Sequence, residues 1–113
     1  MATAKETLGS IQKNMGLLAK ECPEFVQGFR TFHDNILSHS GLDEKTMELI
    51  LVALGVNRQC TYCIDMHVAK ALKSGATRKE ILAAAQAAVL MGGGPALMYT
   101  VQDVVHVLDE LGA

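Results

Sequence analysis

Four residues near the middle of the chain have the types and spacing for thiol chemistry. Cys60 and Cys63 are separated by two residues, His67 follows Cys63 by four, and Glu48 is the one acid in the apolar run leading up to them. Three residues turn a helix through roughly 300°, so two cysteines at the first turn of a helix lie on neighbouring faces and their sulfurs can approach. A helix N-terminus carries unpaired N–H groups and a partial positive charge, which favour thiolate over thiol. His67 falls one turn beyond Cys63 on the same face.

Glu48 must come from the element before. A helix over 43–56 followed by the short connection Asn57-Arg58-Gln59 and a helix from Cys60 to Ser74 predicts two antiparallel neighbours. Glu48 then lies about 10 Å back from the end of one helix, and His67 about 10 Å forward from the start of the next. The two meet at similar height, where a carboxylate fixes the imidazole tautomer and raises its basicity. The pair can then relay a proton from Cys63.

The remaining elements are those of an all-helical scaffold. Half of the 113 residues are hydrophobic, aromatics make up 4%, and only two are proline. The abundant Ala, Leu and Met are strong helix formers. Residues 3–20 have helical spacing weakened by Gly9 and Gly16, which predicts one or two short helical pieces. From Pro23, the stripe Phe25, Phe29, Phe32, Ile36 predicts an amphipathic helix whose Phe side chains hold most of the aromatic core. Asp43 is an N-cap candidate and Gly75 a left-handed C-cap after the cysteine-bearing helix. Thr77 and Glu80 form a capping-box pattern opening a helix over 77–91. The run Gly92-Gly93-Gly94-Pro95 ends that helix, and a last one spans 95–111. The whole of 1–113 reads as a single domain, and two helices this apolar predict association between copies.

Charge and composition narrow the function. A net charge of −2 and a pI near 6.0 give no basic footprint for nucleic acid or a membrane surface. No window has the ~18 uninterrupted apolar residues of a membrane span, and the first residues lack a signal-peptide apolar core. The expectation is a cytoplasmic protein, where a Cys-x-x-Cys serves catalysis or metal binding rather than a structural disulfide.

The register Glu-x11-Cys-x2-Cys-x3-His resembles that of alkylhydroperoxidase D-like proteins within the carboxymuconolactone decarboxylase family. The resemblance covers about 42–98, including His67-Val68-Ala69-Lys70-Ala71-Leu72, Gly75-Ala76-Thr77 and Gly92-Gly93-Gly94-Pro95-Ala96. It implies an all-α fold with a central antiparallel helical hairpin, assembled as trimers or hexamers. It also implies reduction of hydroperoxides at the expense of an external dithiol or protein reductant, with no cofactor and no metal. In that scheme Cys63 is the peroxide-attacking thiolate, and Cys60 is the proton donor and resolving thiol that closes the redox disulfide. Glu48 and His67 form the proton relay. Tyr62, a candidate site-lining residue, stands where the best-studied branch has a histidine.

Competing readings remain on these residues. Free cysteines can be inert packing groups. Cys60, Cys63 and His67, with Glu48 or a water as the fourth ligand, could hold zinc in an oxidant-sensing or oligomeric binding module. A decarboxylase acting on a small lactone is the third reading, though decarboxylases of the family generally lack the cysteine pair. His33, His39 and His106 read as packing or partly exposed residues, with His106 able to reach a site from the last helix. Cys22 reads as an unpaired thiol.

Overall fold

The computed structural model describes residues 2–113, and those residues form helices with no strand. In chain order they are α1 (Ala4–Glu21), α2 (Pro23–His39), α3 (Glu44–Asn57), α4 (Thr61–Lys73), α5 (Arg78–Tyr99), a π-helical segment (Thr100–Val104) and α6 (Val105–Glu110).

Side-chain caps set the helix starts. Thr3 accepts from the Glu6 N–H, Asp43 from the Thr46 N–H, and Thr77 and Glu80 exchange both bonds of a capping box. Each cap satisfies N–H groups that the helix cannot pair internally. Gly75, at φ +93°, ends α4 as its position predicts, and the Ala76 N–H closes back on the Ala71 carbonyl.

The core lies between α3, α4 and α5, joined by the last turns of the chain. Val52, Val56, Ile64, Val68, Ile81, Val104 and Leu108 are fully buried there. Each large aliphatic side chain among them contributes about 1.5–3 kcal/mol of transfer free energy. Ala85, Ala88 and Ala96 face the same core and keep α5 close to its neighbours.

Two expectations need correction. Residues 4–21 form one continuous helix of 18 residues rather than short pieces. Gly9 and Gly16 lie where an added Cβ meets nothing within 4 Å, so each costs only about 1 kcal/mol of propensity. Secondly, Phe25, Phe29 and Phe32 are 68%, 57% and 62% exposed. The stripe on α2 is real, but α2 packs chiefly on α1 and leaves that stripe outside the core. Periodicity records that a face is apolar, not what covers it.

The glycine run ends one helical stretch and opens the next, as its sequence predicts, through a sharp kink. Gly93 takes φ 66°, ψ −146°, a conformation open essentially to glycine alone, and the helix resumes at once. Pro95 falls in the first turn after the bend, where its missing N–H does no harm. A side chain at Gly92 would put its Cβ 2.3 Å from Asn57 Oδ1, so the bend seats α5 against the end of α3. By length and composition Arg78–Glu110 could cross a membrane. That stretch is bent at Gly93 and carries the buried Asp103.

Candidate active site

The α3–α4 turn is built to bring the two helices together at the cysteines. The Gln59 N–H bonds to the Val56 carbonyl and the Cys60 N–H to the Gly55 carbonyl, closing the end of α3. This closure needs a left-handed residue, and Gln59 supplies it at φ 54°. Gly55 then allows close approach. A Cβ there would lie 3.3 Å from Cys63 Cβ and 3.4 Å from the Ile64 nitrogen. Gly55 and Gln59 were not singled out in the sequence, since neither residue type signals chemistry.

Cys60 is the N-cap of α4, and its sulfur accepts from the Cys63 N–H at 3.2 Å. Cys60 and Cys63 are joined as a disulfide, with Cα atoms 5.3 Å apart. Both are partly buried, whereas Tyr62 between them in sequence is 65% exposed. Cys22 is free and exposed at the start of α2.

Across the hairpin, Glu48 Oε1 lies 2.7 Å from His67 Nδ1. This is the juxtaposition that helix rise and a short turn predict. Glu48 is only 5% exposed, and the imidazole gives its buried carboxyl a hydrogen-bond partner. With Nδ1–H donating to the carboxylate, Nε2 keeps a free lone pair and is the basic nitrogen. The arrangement can therefore do two things: exchange a dithiol for a disulfide, and take or give a proton one helical turn from Cys63.

A second polar cluster occupies the opposite side of α4. Asp65 and Asp103, from α4 and the π segment, are 3% and 8% exposed and neighbour each other. Asp65 Oδ1 and Asp103 Oδ2 have no donor partner. Two neighbouring buried carboxyls repel each other when both are ionised, so the pair favours protonation of one of them. Burial, then the neighbouring Asp65 carboxyl, push Asp103 up to about 7, against the opposing influence of the Thr61 hydroxyl. Asp65 is also raised, chiefly by burial. Glu110 adds negative charge nearby, while His106 Nε2 lies 2.6 Å from Glu110 Oε1. Thr61, Asp65, Asp103 and His106 line a cavity of about 460 Å³.

Sequence reasoning missed this cluster. Its only local signals were an acid beside Ile64 and another among Val101, Val104 and Val105. Of the remaining histidines, His33 lies 3.5 Å from Asp34 and His39 bonds the Asn35 carbonyl.

Residues 23–103 match the model of the carboxymuconolactone decarboxylase family. The chain belongs to that family. A crystal structure of an apo carboxymuconolactone decarboxylase family protein from Legionella pneumophila superimposes with a TM-score of 0.90 at 35% identity, covering 97% of each chain. An uncharacterized protein of Cupriavidus necator is 30% identical over 109 residues, 96% of either chain. An uncharacterized protein from the cox locus of Paracoccus denitrificans is 36% identical over 76 residues, covering 67% of this chain and 68% of its own. The all-α fold is thus that of a carboxymuconolactone decarboxylase family member, and the Cys60–Cys63 pair and the Glu48–His67 contact sit within the matched residues.

Proposed function

We propose that this protein is a thiol-dependent hydroperoxide reductase of the alkylhydroperoxidase D type. The observation that carries this reading is the buried Glu48–His67 hydrogen bond one helical turn from a cysteine pair able to close. Neither inert thiols nor a structural disulfide would need an imidazole held as a base at that place.

The proposed cycle starts from the dithiol. His67 Nε2, made basic by Glu48, takes the Cys63 proton. The Cys63 thiolate attacks the terminal peroxide oxygen, the O–O bond breaks, and Cys63 becomes a sulfenic acid. The departing alkoxide takes the Cys60 proton and leaves as the alcohol. Cys60 suits that role, because the Cys63 N–H on its sulfur stabilises the thiolate it becomes. The Cys60 thiolate then attacks the Cys63 sulfur, the S–O bond breaks, and the hydroxide leaves as water with the proton from His67. An external dithiol or protein reductant, meeting the pair from the exposed Tyr62 side, restores both thiols.

The assembly in this reading is a cytoplasmic homo-oligomer, trimeric or hexameric. Leu90 and Met91 on α5 are 87% and 86% exposed, and Leu54 on α3 is 52% exposed. Apolar side chains this open are best covered by another copy.

The test is mass spectrometry of the reduced protein after a stoichiometric pulse of organic hydroperoxide. Loss of both thiols with closure of Cys60–Cys63 is expected, with Cys63 trapped as the sulfenic acid in Cys60→Ser. Turnover with a dithiol should vanish in either single serine variant. Peroxide reduction by the double variant at the wild-type rate, or stoichiometric zinc on protein purified without chelator, would overturn the reading.

A further inference from the structure

A cavity of about 540 Å³ opens between α2 and α4, and His67 is part of its wall. Its apolar surface comes from Met15, Leu18, Phe25, Phe29 and Met66, so part of the exposed α2 stripe borders it. Its charged residues are Arg30 and Lys70, joined by His33, and no carboxylate lines it. Neither Arg30 nor Lys70 has an ion-pair partner among the described residues.

We propose that this cleft is the substrate site and that it takes an amphipathic anion: a hydroperoxide with an apolar chain and a carboxylate. This inference rests on the peroxidase reading and adds the substrate class to it. An apolar wall with cations only is complementary to an acid carrying a hydrocarbon chain, whereas a small neutral peroxide would use neither feature. The carboxylate lies at Arg30 and Lys70, and the chain lies along Phe25 and Phe29. Lys70 is seven residues beyond Cys63 on α4, about 10 Å along the axis, with His67 between them. The cysteines do not line the cleft and His67 is the site residue in its wall, so a peroxide that is to meet Cys63 from here needs roughly 10 Å of chain between it and the carboxylate. That spacing selects long-chain fatty-acid hydroperoxides over short ones.

The test separates binding from catalysis. The disulfide form of the full chain is titrated calorimetrically with decanoate and with decanol, neither of which can react. Decanoate should bind about tenfold more tightly at low salt, the preference expected from two partly exposed ion pairs. Added salt should shrink that preference. In Arg30→Ala/Lys70→Ala the preference should collapse to about one. Equal binding of the two probes in the wild type, or binding of neither, overturns the substrate class. So does sedimentation showing that Phe29→Asp splits an oligomer, because the cleft is then a contact between copies. Cumene hydroperoxide is turned over in all those cases if the peroxidase reading holds, so the two failures are distinguishable.

Discussion

The two faces of α4 bury acids to nearly the same depth and with opposite consequences. Glu48, 5% exposed, meets the face that carries Cys63 and His67, and Asp65, 3% exposed, sits on the other. Asp65 and His67 are two residues apart, which places them about 200° around the helix from one another. Glu48 has an imidazole N–H to accept, and in the proposed reading the contact holds that imidazole as a base next to a thiol. Asp65 neighbours Asp103, with Glu110 adding negative charge, so burial on that side favours the protonated carboxyl. Burial alone does not make a carboxylate functional. The partner decides whether it holds a neighbouring group ready for proton transfer or itself becomes a pH-dependent element of stability.

Variants on the cysteine side should show the larger kinetic effects. His67→Asn removes the base and should lower kcat/KM for a hydroperoxide by about 10²–10⁴-fold. Glu48→Gln can still accept from Nδ1 but carries no charge, and a loss of about 10–100-fold is expected. Equal kinetics for Glu48→Gln and wild type would remove the distinction between the two faces.

On the other side the effect should appear in stability. Asp103 is raised from 3.8 to about 7 in the folded chain, so the folded state favours its protonated form. Its contribution is full below about pH 4 and is lost as pH rises through about 7. Asp103→Asn keeps a donor toward Asp65 without titrating. Between pH 5 and pH 9, wild type should lose on the order of 2–4 kcal/mol relative to this variant, read from denaturant midpoints. Parallel stability profiles would show that burial does not favour the protonated carboxyl.

Two smaller effects test the turn that sets the hairpin height. Gly55→Ala presses a methyl group on Cys63 Cβ and the first turn of α4. A stability loss of about 1–3 kcal/mol is expected in thermal unfolding, with slower disulfide closure. Gln59→Gly relieves the positive φ and should stabilise by about 0.5–1 kcal/mol, with the peroxidase rate retained.

How much of this was legible depends on range along the chain. Cys60, Cys63 and His67 lie within eight residues of one helix start, and Glu48 is tied to them by a three-residue connection. Helix rise alone therefore predicts where they meet. Asp65 and Asp103 are 38 residues apart, joined through the glycine bend at Gly93 and the π segment, and no local pattern reports such a contact. The phenylalanines of α2 failed differently. Their spacing was read correctly as an apolar face, but the face borders a cleft, and sequence period carries no information on what lies opposite. The continuity of α1 was missed because two glycines on an exposed surface cost less than their type suggests.

The most direct test of the central claim is the pH dependence of alkylation at Cys63 in the reduced protein, followed by peptide mass spectrometry. If Glu48 and His67 activate this thiol, its apparent pKa should rise in Glu48→Gln and His67→Asn and stay at the wild-type value in Asp103→Asn. Identical alkylation profiles in the wild type and in both hairpin variants would contradict the account.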